Sequence, residues 1–596
     1  MTTGLGFDPD ALRRKYREER DKRLRPEGIG QYVEMTGELA EFARDPHAEP
    51  GFKRAPLTDD VDVVLVGGGF GGLLTGAHLR ELGVDDIRII EKGSDFGGTW
   101  YWNRYPGIAC DTESYVYIPL LEELGYVPKE KYSRGAEIYE HCRRIAQHYD
   151  LYRNACFQTE VTAIRWDDAA ARWVIETNRG DAIRARFVCL ANGFLQKPKL
   201  PGIPGLQSFR GRTFHTSRWD YDYTGGDADG NLSGLRDKRV GIIGTGASAV
   251  QCIPHLGESA QHLYVFQRTP SSIDLRANRP TDPEWAAALE PGWQQRRIDN
   301  FQILTAGGYV DEDLVNDGWT DITKKLLALV LSGDNPNLSP EALAETVELA
   351  DFVKMEEIRA RVEALVDDPA TAEALKPYYR QFCKRPCFHD EYLPTFNRPN
   401  VTLIDTSGKG VERITERGVV VGGVEYELDC LVFATGFEVG TDYSRRAGFS
   451  ITGRDGLTLS EKWADGVRTY HGVHVHGFPN CCIVHVAQSG FSVNFSYLFH
   501  VQARHIAALF ADALDQGIDV LEASRSAEAE WVEEVIARGG RSTEFSEHCT
   551  PSYYNLEGQA DARSRQGSFF FGAPTEYAEI LDAWRAEGRL EGMERR

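Results

Sequence analysis

The stretch Val61-Asp62-Val63-Val64-Leu65-Val66-Gly67-Gly68-Gly69-Phe70-Gly71-Gly72 decides the fold. Val63 to Val66 is an unbroken apolar run of the kind a parallel strand buried on both faces requires. Glycines at 67, 69 and 72 then permit a tight turn, and they bring the backbone N–H groups of a helix predicted through Leu73 to Leu82 within reach of a pyrophosphate. A second strand, Ile87 to Ile90, ends at Glu91, about 20 residues on, where an acid can accept ribose hydroxyls. Three spaced glycines alone would be weak evidence. Strand, glycines, helix, strand and acid in that order make a dinucleotide-binding unit.

Downstream lies Gly97-Gly98-Thr99-Trp100-Tyr101-Trp102-Asn103-Arg104-Tyr105-Pro106-Gly107, ending in Cys110 and Asp111. So many aromatics and glycines in a loop are costly unless something flat packs there, and an isoalloxazine ring fits that requirement. Residues 157 to 194 read as β-rich and close on Phe187-Val188-Cys189-Leu190-Ala191-Asn192-Gly193-Phe194. The later run Leu431-Val432-Phe433-Ala434-Thr435-Gly436-Phe437 is similar. Each reads as a strand entering a glycine turn, suited to mark where the chain leaves one nucleotide unit and returns to it.

A second fingerprint follows: strand Val240 to Ile243, then Gly244-Thr245-Gly246-Ala247-Ser248-Ala249, with Gln251 further along the helix. Its next strand, Leu263 to Phe266, ends not in an acid but in Gln267-Arg268-Thr269, and a cation there suits a 2′-phosphate, hence NADP rather than NAD. Between the two fingerprints stands Phe209-x-Gly211-x-x-x-His215-x-x-x-Trp219-Asp220. From about Arg276 to Lys376 the composition turns helical and polar, and Cys383-Lys384-Arg385-Pro386 comes next.

At 596 residues, with 42% hydrophobic and 11% aromatic residues, the chain exceeds one core and reads as a multi-domain globular protein. A formal net charge of −23 repels polyanions and argues against nucleic acid as a partner. No apolar run reaches the ~18 residues needed to span a bilayer. The amino terminus mixes Arg13, Arg14 and Lys15 with Glu18, Glu19 and Asp21, so no signal peptide, no membrane partner and a cytoplasmic location are expected. The eleven cysteines include no zinc-type C-x-x-C pair, so no metal site is expected, and reduced, buried thiols are the expectation.

With these residues assembled, the chain resembles the single-component, FAD- and NADPH-dependent Baeyer-Villiger monooxygenases, a branch of the class B flavoprotein monooxygenases. Both glycine fingerprints are present, and every position of the Phe209–Asp220 pattern is filled. So is every position of Gly98-x-Trp100-x4-Tyr105-Pro106-Gly107-x3-Asp111. The resemblance implies that NADPH reduces FAD and that O₂ adds to the reduced flavin. The resulting peroxide attacks a ketone to give an ester or lactone.

It further implies cofactor contacts from Gly67, Gly69, Phe70, Gly72, Glu91, Gly98, Thr99, Trp100, Cys110, Asp111, Tyr117, Val161, Gly244, Thr245, Gly246, Ala247, Ser248, Gln251, Arg268, Thr269, Lys384 and Arg385. Arg385 matches the family's essential arginine, Asp111 the carboxylate that positions it, and Lys384 and Arg268 the 2′-phosphate contacts. Tyr553, where a tryptophan is often found, and the long amino-terminal extension resemble the branch acting on large cyclic ketones and steroids.

The expected fold is α/β with two Rossmann-like domains. A helical extension (1–60, helical from about Asp8 to Arg44) precedes a first FAD part (61–197). An NADP domain (198–390) carries a helical insertion (276–376), and a second FAD part (391–596) completes the chain. His215 is expected to be a hinge or hydrogen-bonding element rather than a proton donor, and the protein a monomer or weak homo-oligomer. The competing readings are an N- or S-oxygenating flavin monooxygenase, which Asp220 and Arg385 disfavour, and a non-catalytic NADP(H)-binding scaffold.

Overall fold

The protein is described by a computed structural model covering residues 6–331, 339–539, 545–573 and 575–596. It opens with α1 (Pro9–Asp21), whose first turn is capped by the Asp8 carboxylate accepting the Asp10 N–H at 2.9 Å. The helix expected to Arg44 stops here. Pro26 interrupts it, and Gly28 and Gly37 take positive φ of 48° and 59°. Short 3₁₀ turns and a two-residue strand, Tyr32–Val33, replace it, and that strand pairs antiparallel with Leu200–Pro201. The apolar spacing of Tyr32, Met35, Leu39 and Phe42 therefore belongs to an irregular docked segment, in which Met35 is buried and Phe42 packs edge-on against Phe433.

The first sheet is built on β1 (Asp60–Val66), followed by α2 (Phe70–Glu81) and β2 (Ile87–Ile90). Then come β3 (Ala155–Cys156), β4 (Val161–Asp167), β5 (Arg172–Thr177) and β6 (Ala182–Leu190). Within β1, Val63 and Leu65 join the core cluster holding Leu73, Leu74 and Ala77 of α2, while Val64 and Val66 join Ile164, Trp173 and Ile175 in a second. That two-sided burial is why the strand carries no polar residue between Val63 and Val66.

The second sheet contains β7 (Arg212–His215), β8 (Arg239–Ile243), β9 (His262–Gln267), β10 (Val401–Asp405) and β11 (Cys430–Phe433). All its pairs are parallel, in the order β10-β9-β8-β11-β7, and α3 (Ala247–Ser259) follows β8. This corrects the expected return to the first unit at residue 391: β10 and β11 lie beyond that point yet complete the second sheet. The chain rejoins the first sheet through β12 (Ser450–Thr452) and β13 (Cys481–Ile483), and α4 (Phe495–Asp515) then packs on α2. Helices Trp293–Thr305, Gly318–Leu331 and Pro340–Leu365 form most of the insertion after β9.

The two similar runs read in the sequence occupy equivalent places. Val66 sits in register with Leu190, and Ile243 with Phe433, so each glycine turn faces the end of the strand added on the other side. Gly67 and Gly244 adopt φ of 109° and 113°, and a Cβ would lie 2.5 Å from the Ala191 carbonyl oxygen in one case and 2.3 Å from that of Ala434 in the other. These are the topological switch points where an open α/β sheet binds its ligand.

One thiol expectation is overturned: Cys383 and Cys549, 166 positions apart, form a disulfide, while the other nine cysteines are free and buried. Spacing in sequence carries no trace of such a pairing.

Gly244→Ala should lose about 1–3 kcal/mol of stability, because the new Cβ meets backbone in a strained conformation. Gly246→Ala, whose Cβ would meet nothing within 4 Å, should melt close to wild type. Urea denaturation of both variants checks the contrast.

Candidate active site and coenzyme sites

At the first switch point Gly69 caps α2 without any side-chain hydrogen bond to the first-turn N–H groups. Glu91 is buried and accepts the backbone N–H of Gly68 and of Gly93, each at 2.6 Å. Burial raises its carboxyl above the ordinary range, and these two donors offset only part of that rise. The loop at Gly98 crosses so closely that a Cβ on Gly69 would lie 3.3 Å from the Gly98 Cα. Thr99 starts a single helical turn, which carries Trp100, and the Trp100 indole N–H donates to the Tyr117 hydroxyl at 3.2 Å. With Phe70, whose ring centre lies 5.8 Å from that of Tyr117, they form an aromatic wall at the start of α2. Cys110 lies in the same core, its thiol pushed up to about 12 by burial. Val161 stands apart, heading β4 in the apolar cluster on the other face of the sheet.

Arg385 precedes the two-residue strand Cys387–Phe388, which pairs in parallel with Ile273–Asp274. Its guanidinium donates twice to Asp111, Nη1 to Oδ2 at 2.7 Å and Nη2 to Oδ1 at 2.5 Å. Asp111 is buried while 34% of the arginine side chain stays exposed, and Nη1 also donates to the Pro386 carbonyl at 3.0 Å, so the Nε side of the fork is the part without a partner among the described residues. Burial works against the cation, but the carboxylate outweighs it and holds Arg385 well above the ordinary arginine range.

Neighbouring elements position the pair. Trp319, on the insertion helix, donates its indole N–H to the Asp111 carbonyl at 2.8 Å, and its ring lies 5.9 Å from the guanidinium carbon. Gln251 of α3 accepts the Tyr105 hydroxyl at 2.9 Å and donates to the Ala109 carbonyl at 2.8 Å, tying the aromatic loop to the second unit. Buried Lys354 pairs with Asp274 at 2.6 Å and with Asp321 at 2.5 Å, bracing the strand beside Arg385.

At the second switch point Gly246 caps α3, again with no side-chain bond to the first turn, where Ala247 and Ser248 stand. The Thr245 hydroxyl donates to the Thr269 carbonyl at 2.7 Å, and the Thr269 hydroxyl is buried with no partner among the described residues. Arg268 is already engaged, with Nη1 on Gln31 Oε1 at 2.8 Å and Nη2 on Glu557 at 3.1 Å. Lys384, by contrast, makes no hydrogen bond or ion pair among the described residues. Burial and then Arg268 lower its ammonium to about 8. Two uncapped helix starts, an orphaned hydroxyl and an unpaired cation suit two dinucleotides, the second bearing an extra phosphate.

A family model described as pyridine nucleotide-disulphide oxidoreductase matches residues 64–302. The chain is 57% identical over 592 residues to neopentalenolactone D synthase of Streptomyces avermitilis, with 99% of each covered. It is 50% identical to a Baeyer-Villiger monooxygenase of Streptomyces coelicolor, over 99% of this chain and 98% of the relative. The chain belongs to the Baeyer-Villiger monooxygenases. The solved polycyclic ketone monooxygenase of Thermothelomyces thermophila matches it with a TM-score of 0.92 at 39% identity, covering 98% of this chain and 99% of the other. As a Baeyer-Villiger monooxygenase it uses FAD, NADPH and O₂ to insert one oxygen atom beside a ketone carbonyl.

In this monooxygenase the Phe209–Asp220 motif is architecture. A Cβ on Gly211 would lie 2.5 Å from the Asp429 carbonyl oxygen, and Asp220 caps the next helical turn through the Tyr223 N–H while pairing with Arg212. Trp219 is buried and donates to Thr224 Oγ1 at 3.1 Å. His215, at the end of β7, accepts the Ser217 N–H through Nδ1 and meets the Phe437 ring edge-on. Burial, helped by Arg218, lowers it to about 3, so it is neutral at physiological pH.

Among the residues around these places that escaped the sequence reading are Trp319 on Asp111, Lys354 on Asp274, Gln31 and Glu557 on Arg268, and Lys199, whose ammonium lies 3.3 Å from Glu557. A tryptophan inside an otherwise polar helical segment was the one signal available. Glu91→Gln keeps the shape but removes the charge that holds the Gly68 and Gly93 N–H groups. FAD retention should fall roughly tenfold, read as visible flavin absorbance after desalting.

Proposed function

We propose that the enzyme converts a polycyclic ketone into its lactone, with Arg385 as the cation at the reacting oxygens, Asp111 as its positioning residue, and Lys384 with Arg268 as the 2′-phosphate site. The two-point Arg385–Asp111 bond carries this reading. A guanidinium held in a plane by a buried carboxylate and by the Pro386 carbonyl on Nη1, with its Nε side without a partner among the described residues, can donate to oxygen atoms on which negative charge develops. FAD, held at the first switch point, would supply the redox chemistry: reduction by NADPH and activation of O₂. Arg385 keeps its charge throughout, so it stabilises by position and field rather than by releasing a proton. Trp319 and Gln251 keep Asp111 and its loop from following the arginine when substrate arrives.

The substrate class rests on the relatives' names, a polycyclic ketone monooxygenase and a lactone synthase. It is supported by the Tyr553–Tyr554 pair, whose rings lie 4.4 Å apart within the field of Arg385. We take the enzyme to act in the cytoplasm, where NADPH is supplied, as a monomer or weak homo-oligomer. No helix among the described residues is long and apolar enough to cross a membrane.

In Arg385→Ala, flavin reduction by NADPH should stay measurable while lactone formation falls by about 10² or more, read by stopped-flow absorbance and product mass spectrometry. Lactone at the wild-type rate would remove the assigned role. NADPH affinity should weaken as pH rises through about 8, where Lys384 sheds its proton, and Lys384→Met should flatten that dependence. KM measured from pH 7 to 9.5 tests it.

A further inference from the structure

We propose that Glu557 sets the coenzyme preference of this enzyme: its carboxylate stands in the pocket for the 2′-phosphate and must be displaced by NADPH but not by NADH. The proposal rests on the reading of Arg268 and Lys384 as the 2′-phosphate site. Glu557 is buried, and its two oxygens divide between cations, Oε1 on the Lys199 ammonium at 3.3 Å and Oε2 on Arg268 at 3.1 Å. Burial opposes its charge, yet Lys199, Arg268 and Lys384 together hold its carboxyl below the ordinary range. A single carboxylate facing three cations is the arrangement a phosphate would otherwise make.

The loop that presents it is built to do so. Leu556 and Glu557 both adopt left-handed backbone, φ 51° and 59°, which side-chain-bearing residues rarely take. Asn555 holds them there. Its Oδ1 accepts the N–H of Ser552 and of Gly558, at 2.9 and 3.0 Å, and its amide donates to the carbonyls of Ser546, Cys549 and Thr550. Ser552 donates to the Cys383 carbonyl at 2.9 Å, and Cys383 is bonded to Cys549, so the loop's start is anchored next to Lys384. The Glu557 N–H also donates to the Ser552 carbonyl at 2.8 Å, so the carboxylate-bearing side chain is what yields first when a dianion enters, with the strained tip following. NADPH therefore gains its phosphate contacts by breaking the Glu557 pairs, whereas NADH leaves them whole, and the ratio between the two is narrowed.

Glu557→Gln should tighten NADP⁺ binding about five- to tenfold, the size of one charge-assisted pair, and leave NAD⁺ binding where it was, by titration calorimetry. Unchanged or weaker NADP⁺ binding overturns the proposal. Hydrogen exchange on the wild-type holoenzyme gives a second reading free of folding effects. NADP⁺, and not NAD⁺, should speed exchange over Leu556 to Gln559, and no difference between the two would sink the idea. Lys384→Met separates the underlying reading. If it fails to weaken NADP⁺ more than NAD⁺, the 2′-phosphate site itself is misassigned. If it does weaken NADP⁺ selectively while Glu557→Gln gains nothing, the site stands and only the role of Glu557 falls.

Discussion

The bond between Arg385 and Asp111 is the constraint on which the rest depends, because its partners come from different nucleotide-binding units. Asp111 ends the aromatic loop of the first, and Arg385 leads a strand attached to the second. An ion pair with one buried and one partly exposed member gives back much of its attraction as desolvation, so it does not by itself hold two domains in place. The surroundings do that: the Gln251 side chain grips the loop from the second unit, Trp319 grips the Asp111 backbone, and Lys354 locks the insertion to the strand beside Arg385. The helical insertion is thus part of the frame that aims the arginine.

The linker motif acquires a different meaning beside that frame. Its histidine, glycine and Trp-Asp end are spent on an edge strand, a close backbone approach and a helix cap. A neutral, enclosed imidazole packed on Phe437 couples the linker to the glycine turn that ends β11. Its diagnostic value therefore arises from the joint it builds, at the point where the second sheet begins.

Features governed by local rules were legible in the sequence. The apolar run of β1, the positive-φ glycines at 67 and 244 and the Ala-x-Gly turns after Leu190 and Phe433 all follow from backbone sterics and two-sided burial. What escaped were consequences of chain crossing. The extension after α1 kept a helix-like apolar spacing that proved to be the footprint of an irregular segment, one in which Gln31 reaches Arg268. The boundary at 391 failed because β10 and β11 return to the second sheet after the long excursion from Gln267 to Val401, a pairing that strand patterns do not encode. Glu557 looked like one acid among ninety acidic residues until folding surrounded it with cations.

The Cys383–Cys549 bond has a topological consequence. It closes a covalent ring spanning 166 positions, and that ring contains the last two strands of the second sheet together with β12, β13 and α4 of the first. By chain entropy alone a closure of that size removes about 5 kcal/mol worth of freedom from the unfolded ensemble. The elements threaded on the ring belong to both nucleotide units, so neither unit can come fully apart without dragging a tethered part of the other. Oxidation state thereby becomes a property of the assembly as a whole: the same sequence is an open string in its dithiol form and a looped one in its disulfide form.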